Sequence, residues 1–299
     1  MTQHHHISVL KEEAIEAINV TPGKWYIDGT FGRGGHTREI LDRGGNVIAV
    51  DCDQTAITYG QETFAQEVRA GRLILVNENF DRLAQSWQSL HREQSVPQPD
   101  GILFDFGLSS PQLSEAERGF SFQYDGPLDM RMDKRLGVQA KDVLAILPEK
   151  QLAELFWTYG GEEMSRKLAR AIVQARTKHQ FERTQDFADF IAKHKQRNGH
   201  LHPATKVFQA LRIAVNSELH SIEDALPQAL EILAPQGRVV TISFHEGEDR
   251  IAKHLFQQWE KKSFGEVMTK KAVIPSQEEE QRNPRARSAK LRVFLKTKQ

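Results

Sequence analysis

Short apolar runs, separated by polar or glycine-rich sequence, recur along the chain. They occupy residues 25–27, 47–50, 73–76, 101–104, 239–244 and 291–295. Segments with helical periodicity lie between the first four runs, which is the alternation expected of a parallel sheet covered by helices. The pattern therefore predicts an α/β fold with a mostly parallel, doubly wound sheet.

The alternation stops between residues 107 and 215, where helical patterns replace the strand-like runs. Two apolar stripes are clear: Met164, Leu168, Ile172 and Ala175, and then Phe208, Leu211, Val215, Leu219 and Ile222. We interpret both stripes as core packing of helices. The glycine pair 160–161 should open the first helix, and Thr205, after Pro203, could cap the second. The sequence thus predicts a core made of residues 1–106 and 216–299, with an inserted all-helical domain at 107–215.

A glycine-rich turn follows the first apolar run. Asp28 ends the run, glycines stand at 29, 32, 34 and 35, and a helix-compatible segment starts at His36. The second run ends at Asp51, which lies 19 residues after Gly32. Glycines allow the backbone to approach a ligand, and an acid at this distance can accept hydrogen bonds from ribose hydroxyls. This layout favours a nucleotide-type cofactor site over a plain strand-to-helix turn.

The charge of Asp28 helps to choose the cofactor. A carboxylate directly before the glycines would repel a pyrophosphate, and Thr37 stands where a dinucleotide fingerprint requires a third small residue. Asp28 instead suits a ligand with positive charge, such as the amino group and sulfonium of S-adenosylmethionine (AdoMet). AdoMet is therefore the leading cofactor, and an NAD-linked oxidoreductase is disfavoured.

Polar residues also follow the third and fourth runs. Asn79 could bond the adenine amine and Phe80 could stack on the ring, although a polar loop with one buried aromatic explains them equally well. Asp105 ends the fourth run, where a methyl donor and its acceptor should meet at the carboxyl edge of the sheet. Its carboxylate could orient an acceptor amine, or it could simply bond nearby backbone N–H groups.

The segment 118–133 combines aromatic, acidic and basic residues without a regular period, which indicates a loop. Phe120 and Phe122 could stack on a flipped base while Arg131 pairs with phosphate. Alternatively, Asp129, Arg131 and Asp133 could form a local ion-pair network that only holds the loop in place.

The position of the charged residues along the chain is more informative about function than the net charge. The 299 residues carry 40 basic and 40 acidic side chains. However, residues 281–299 hold seven Lys/Arg and no acid, and residues 193–206 hold four Lys/Arg and three His. Such segments suggest a polyanion-binding face, although a solvated charged surface is the commoner explanation.

The chain offers few thiols and no convincing metal ligand set. The lone Cys52 excludes an internal disulfide framework and a multi-thiolate zinc site. The histidine run 4–6 is a poor ligand set at a chain terminus, so no metal is predicted. We expect a cytoplasmic protein, because no apolar stretch reaches the length of a membrane span and no signal peptide is recognisable.

Several longer blocks resemble the ribosomal RNA small subunit methyltransferase H family. They include Asp28-Gly-Thr-Phe-Gly-Arg-Gly-Gly-His36, Asp100-Gly-Ile-Leu-Phe-Asp105, Gly126-Pro-Leu-Asp-Met-Arg-Met-Asp133, His202-Pro-Ala-Thr205, Ser243-Phe-His245 and Asn283-Pro-Arg-Ala-Arg-Ser288. The resemblance runs from about residue 6 to residue 292. It departs from the family at Glu246-Gly247, where Ser-Leu is usual, at Phe106 and Leu108, and in a shorter segment after Arg250.

The resemblance implies a Rossmann-like methyltransferase core with an inserted helical domain. It also implies AdoMet-dependent methylation of the exocyclic amine of a cytidine in the decoding region of 16S rRNA. The implied cofactor contacts are Gly34, Gly35, His36, Asp51, Phe80, Asp105 and Gln112, to which our own reasoning adds Asp28, Gly32 and Asn79. The small ribosomal subunit would be the partner, and the enzyme could form a homodimer. Candidate RNA contacts are Phe120, Phe122, Arg131, His202, Arg285, Arg287 and Arg292.

Two rival functions remain open from the sequence. One is an amino-methyltransferase that acts on another nucleic acid. The other is a non-catalytic AdoMet-binding assembly factor, for which Glu246-Gly247 could be a mark because Glu246 adds negative charge near the expected RNA face. The identity of the methylated nucleoside would distinguish the first rival from the rRNA methyltransferase. AdoMet binding without turnover would support the second rival.

Overall fold

The computed structural model describes residues 8–197 and 201–297, which form two compact units. Unit 1 consists of Met1–Gly107 and Leu219–Gln299, and unit 2 of Leu108–Glu218. The domain limits predicted from the sequence lie at 106/107 and 215/216. The histidine run 4–6 and residues 198–200 of the basic segment fall outside the described residues.

Unit 1 is built on a seven-stranded sheet with the order β3-β2-β1-β4-β5-β7-β6. Its strands are β1 (Trp25–Asp28), β2 (Asn46–Val50), β3 (Leu73–Val76), β4 (Gly101–Asp105), β5 (Arg238–Ser243), β6 (Gly265–Val267) and β7 (Lys290–Lys296). The first five are parallel, and β7 runs antiparallel to both β5 and β6. The predicted α/β class and mostly parallel sheet are therefore confirmed.

Helices cover the sheet of unit 1. They are α1 (Lys11–Ile18), α2 (Gly35–Asp42), α3 (Gln54–Thr63), α4 (Ala65–Arg69), α5 (Leu83–Gln94), α12 (Glu218–Ile232, beginning at the last residue of unit 2), α13 (Glu246–Lys261) and α14 (Gln277–Arg282). Alternate residues of β2 enter different hydrophobic clusters: Val47 and Ala49 join one, and Ile48 and Val50 the other. Because side chains alternate across a strand, an unbroken apolar run supplies both faces of a buried sheet.

Five of the six predicted apolar runs match a strand closely, and the sixth, 291–295, lies inside the longer β7. Only β6 was missed. It is three residues long at the sheet edge, and its one apolar residue is Val267, so it carries no readable pattern.

Unit 2 is helical and has its own hydrophobic core. Its helices are α6 (Ser110–Ser114), α7 (Ala140–Ile146), α8 (Glu149–Gly160), α9 (Ser165–Ala175), α10 (Thr184–His194) and α11 (Thr205–Asn216). The stripe Met164 to Ala175 matches α9, and its members Leu168 and Ile172 are completely buried.

Three details of the helix predictions were wrong. The pair 160–161 ends α8 instead of opening α9, since Gly161 has the left-handed φ of 58° that favours glycine at a helix end. The second stripe is divided between α11 and α12, because Ser217 turns left-handed with φ 51°. Thr205 is the first residue of α11, and the capping position belongs to Ala204. Over the described residues, no helix is both long and apolar enough to cross a membrane.

Candidate cofactor site

The candidate site of unit 1 lies at the carboxyl ends of β1 and β4. These strands are neighbours at the centre of the sheet, although β2 and β3 come between them in sequence. Asp28 on β1 is in register with Leu103, which places Asp105 two residues further along β4. Strand order reverses here, and such a switch point is where open α/β sheets bind ligands.

The glycine turn after β1 is fixed by close packing. Gly34 adopts φ 70°, and a side-chain carbon there would lie 2.6 Å from the ring of Phe31 and 2.7 Å from that of Phe64. At Gly35 the same carbon would lie 1.9 Å from Ser8 Oγ. Glycine is therefore required at Gly34 by both backbone conformation and space. The turn leads directly into α2, whose N-terminus faces the loop.

Asp28 lies completely inside the protein and joins β1 to α2. Its two oxygens accept hydrogen bonds from Thr30 N–H at 3.2 Å and from the Thr37 hydroxyl at 2.7 Å. Burial raises the pKa of Asp28, and the electrostatic influence of the His36 ring and these hydrogen bonds oppose the rise. Thr37, noted in the sequence only as a departure from the dinucleotide pattern, thus has a specific partner. The predicted contact between Asp28 and the methionine end of AdoMet stays a prediction.

Asp51, which follows β2, binds the backbone of the glycine turn. Its carboxylate accepts hydrogen bonds from the N–H groups of Gly32 at 2.7 Å and Asp53 at 2.8 Å. Burial raises the pKa of Asp51 to about 6, although both hydrogen bonds act in the opposite direction. The side chain remains partly accessible. Asn77 supports this corner by donating to the carbonyl oxygens of Asp51 and Cys52.

The loop after β3 supplies an aromatic surface and a local cap. Asn79 accepts a hydrogen bond from Asp81 N–H at 3.3 Å and donates to Ser221 at 3.3 Å, so its amide already has protein partners. Phe80 is half-buried, with its ring centre 5.8 Å from that of Phe104 and 5.9 Å from that of Phe106. The cofactor contacts of Asn79 and Phe80 stay predictions.

Asp105 and His36 form the centre of the site. The backbone N–H of Asp105 donates to the Thr30 hydroxyl at 2.6 Å, which ties β4 to the loop after β1. His36 Nε2 lies 3.5 Å from Asp105 Oδ2. Among the described residues, both ring nitrogens of His36 and Oδ1 of Asp105 are buried without a hydrogen-bond partner. Thr30 was not recognised in the sequence, because nothing in its local pattern marks a bond to a residue 75 positions away.

The turn after β5 contains the departure Glu246-Gly247. Here His245 Nδ1 accepts a hydrogen bond from Gly247 N–H at 3.1 Å, and Glu248 accepts one from Phe244 N–H at 2.7 Å. Glu246 occupies the first turn of α13, where a carboxylate interacts favourably with the helix dipole. The unusual pair thus forms an ordinary helix start.

The predicted residues of unit 2 lie in its core and loops. Gln112 accepts a hydrogen bond from Ser109 N–H at 3.0 Å and belongs to the cap of α6. Phe120 is buried in the unit's hydrophobic core, which argues against base stacking by this ring. Phe122 is half-buried, and its ring centre lies 4.7 Å from that of His202 and 4.8 Å from that of Phe208.

Arg131 belongs to the local network that the sequence left as an alternative. Its guanidinium donates to both oxygens of Asp129, at 2.7 and 2.9 Å, and to the carbonyl oxygen of Leu136 at 2.6 Å. These bonds occupy its donors within the loop, so we do not retain Arg131 as a phosphate contact.

The three arginines of the basic tail have different environments. Arg292 on β7 is buried, and its guanidinium donates to both oxygens of Asp249, at 2.6 and 3.1 Å. This internal partner corrects the expectation that Arg292 reaches phosphate. Arg285 and Arg287 are exposed, so their predicted phosphate contacts remain predictions.

The residues at the strand ends fit AdoMet. The Asp51 carboxylate can accept further hydrogen bonds from ribose hydroxyls, and the packed glycines leave the backbone open to a ligand. Oδ1 of Asp105 is buried and lacks a partner among the described residues, which is typical of a site that a ligand completes. Together with the sheet order, these features define an AdoMet-dependent methyltransferase.

Comparison with known proteins agrees with this class. The family model described as the MraW methylase family matches residues 3–297, and the chain belongs to this family. Relatives named ribosomal RNA small subunit methyltransferase H are 47% identical in Shewanella loihica and 40% identical in Brevibacillus brevis. Each alignment covers 98% of this chain and 98% of the relative.

Proposed function

We propose that this protein uses AdoMet to methylate the N4 amine of a cytidine in the decoding region of 16S rRNA, within the small ribosomal subunit. The observation that carries the proposal is the Asp105 carboxylate at the end of β4, whose Oδ1 is buried without a partner among the described residues. The relatives named above support an RNA substrate, and the sequence resemblance supports the cytidine amine. A ribosomal substrate implies work in the cytoplasm.

The chemistry requires alignment of the amine with the methyl group and the loss of one amine proton, which Asp105 would accept or pass to water. AdoMet, when bound, supplies a methyl group on a sulfonium, which is already electrophilic. The protein must turn the lone pair of a weakly nucleophilic amine toward that methyl and exclude water. Asp105 would accept one amine N–H in a hydrogen bond, which fixes the direction of the lone pair. Asp105 is thus the proposed catalytic residue.

Other residues of unit 1 would hold the cofactor. Asp51 would accept bonds from the ribose hydroxyls, and Phe80 would cover the adenine. The turn from Gly32 to His36 would contact the methionine end, and the negative charge of Asp28 would favour its amino group. Each of these residues lies at the end of a strand of the one sheet or in the segment that follows that strand.

We assign RNA contact to unit 2 and to the basic tail. Phe122 and His202 form an aromatic pair that is only partly buried, and Arg285 and Arg287 are exposed cations. Aromatic surfaces bind unstacked bases, and arginines bind phosphates. The helical segment 107–215 would serve as the substrate-recognition domain, and a homodimer could present two such surfaces.

The test is a labelling experiment with small ribosomal subunits from cells that lack this gene. The subunits are incubated with the protein and methyl-labelled AdoMet, and the labelled nucleoside is identified by mass spectrometry. N4-methylcytidine is the expected product, and Asp105→Ala should abolish it without changing the thermal unfolding of the protein. A different labelled nucleoside would indicate another acceptor. AdoMet binding with no label would favour a non-catalytic assembly factor.

A further inference from the structure

His36 is the most unusual side chain of the candidate site. It is only 4% exposed, yet neither ring nitrogen has a hydrogen-bond partner within residues 8–197 and 201–297. An imidazole that is buried without partners loses its hydrogen bonds to water and gains none in return. Such a group in a folded protein calls for an explanation, and a functional role is a common one.

Two carboxylates lie near His36, and among the described residues Asp105 is the one with an oxygen within ion-pair distance of a ring nitrogen. Asp28 interacts electrostatically with the imidazole. However, its two oxygens already accept bonds from Thr30 and Thr37, at 3.2 and 2.7 Å. Asp105 Oδ2, 3.5 Å from His36 Nε2, is slightly beyond an ordinary hydrogen bond and needs only a small closing movement.

Both partners are held firmly on their other sides. His36 lies in the first turn of α2, which is anchored to β1 through the bond from Thr37 to Asp28. Asp105 is anchored through its backbone bond to Thr30. The imidazole therefore faces the carboxylate from a fixed position, while Asp105 Oδ1 remains without a partner among the described residues.

We infer that His36 is a positioning residue that acts through Asp105. In the working enzyme its Nε2–H donates to Asp105 Oδ2 and holds the carboxylate so that Oδ1 accepts the N–H of the acceptor amine. This role is separate from any cofactor contact of the backbone at His36. The inference rests on the proposed function, because it concerns the carboxylate that orients the amine.

The test compares three substitutions at one position. The side-chain amide of His36→Gln can reach the place of Nε2, whereas that of His36→Asn reaches only the place of Nδ1. His36→Leu removes both nitrogens and keeps the position apolar. For each variant we would measure kcat and KM on small subunits, the Kd for AdoMet by calorimetry, and Tm.

We expect the substitutions to change kcat while KM for the subunit and Kd for AdoMet stay nearly constant. His36→Leu should lower kcat at least 100-fold, with KM for the subunit and Kd for AdoMet within about threefold of wild type. His36→Gln should recover at least tenfold of the lost kcat, and His36→Asn should not. If Asn restores turnover as well as Gln, or if the loss lies entirely in the AdoMet Kd, the inference is wrong.

The wild-type reaction separates this inference from the proposed function. If the wild-type protein gives no N4-methylcytidine, the proposed function fails before any variant is considered. If it does, and His36→Leu keeps wild-type kcat, only the positioning role is overturned. Should His36→Leu fold poorly, as its Tm would reveal, the comparison of Gln with Asn decides the question alone.

Discussion

The carboxylate of Asp51 accepts a hydrogen bond from the backbone N–H of Gly32 at 2.7 Å. The acid that is proposed to bind the ribose therefore also holds the glycine turn. Its second oxygen bonds the N–H of Asp53 at 2.8 Å. The two halves of the nucleotide-site pattern, which the sequence shows 19 residues apart, are thus one hydrogen-bonded structure.

This relationship predicts that AdoMet affinity depends on pH. The pKa of Asp51 is raised to about 6, so the carboxyl group is protonated in much of the free protein below that pH. Ribose hydroxyls donate better to the ionised form, so binding must displace the proton. We expect the Kd for AdoMet to rise about tenfold per pH unit below pH 6 and to be flat above pH 7, as calorimetry can show.

Asp51→Asn provides the control for this pH dependence. The variant should bind AdoMet more weakly at pH 8, and its Kd should no longer rise as the pH falls through 6. Asp28, whose pKa is also raised by burial, is retained in the variant. If the Kd of Asp51→Asn still rises below pH 6, the titrating group is Asp28 or another residue. If the wild-type Kd is constant from pH 8 to 5, Asp51 does not control AdoMet binding in this way.

A second prediction concerns Gly34 and has a matched control in Gly23. Both glycines have positive φ, of 70° and 78°. A Cβ added at Gly34 would meet the rings of Phe31 and Phe64, whereas one added at Gly23 would have open space around it. Gly23→Ala should cost about 1–2 kcal/mol for the left-handed backbone alone. Gly34→Ala should cost about 1–3 kcal/mol more through overpacking. Urea unfolding of both variants measures the difference, and equal costs would show that the rings move aside.

A third prediction tests the bond between Thr37 and Asp28. Thr37→Val keeps the shape of the side chain but leaves one oxygen of a buried carboxylate without its hydroxyl donor. We expect a loss of about 1–3 kcal/mol in the free energy of unfolding. Thr37→Ser keeps the donor and should lose clearly less. If both variants lose the same amount, the methyl group and not the hydroxyl stabilises this corner.

These contacts show which parts of the site the sequence could reveal. The acids at the ends of β1, β2 and β4 were found because an apolar run followed by a carboxylate marks a strand end in one short window. The long-range partners of buried acids were not found. Thr30 bonds Asp105 and Arg292 bonds Asp249 over 75 and 43 positions, and such pairings exist only once the sheet has formed.

The fold shows the same division between local and distant information. The parallel strands could be predicted because burial on both faces demands continuous apolar residues. The end of α11 could not, since Ser217 takes a left-handed conformation within a helical pattern that continues through Leu219 and Ile222. Arg131 lies between these two cases. The sequence of its segment was consistent with both a binding loop and an ion-pair network, and the structure was needed to identify the network.

The last prediction separates the arginines of the basic tail by their environments. Burial alone would raise the pKa of Asp249, but the hydrogen bonds and charge of Arg292 outweigh it and hold this pKa below its ordinary value. Arg292→Ala would leave that buried carboxylate with Lys290 alone among the described residues, at 3.4 Å. The variant should therefore cost about 3 kcal/mol of stability, the lower end for a broken buried pair.

Arg285 and Arg287 are exposed and are proposed to bind phosphate, so the double variant Arg285→Ala/Arg287→Ala should lose much less stability than Arg292→Ala. Instead, it should weaken binding to small-subunit RNA. The slope of log Kd against log salt concentration should fall by roughly 1.4–1.8, because two phosphate contacts are lost. Binding titrations at several salt concentrations, with unfolding curves for both variants, measure these effects. An unchanged salt slope in the double variant would remove the tail from the RNA surface. A fully stable Arg292→Ala protein with weakened RNA binding would instead restore Arg292 as a phosphate contact.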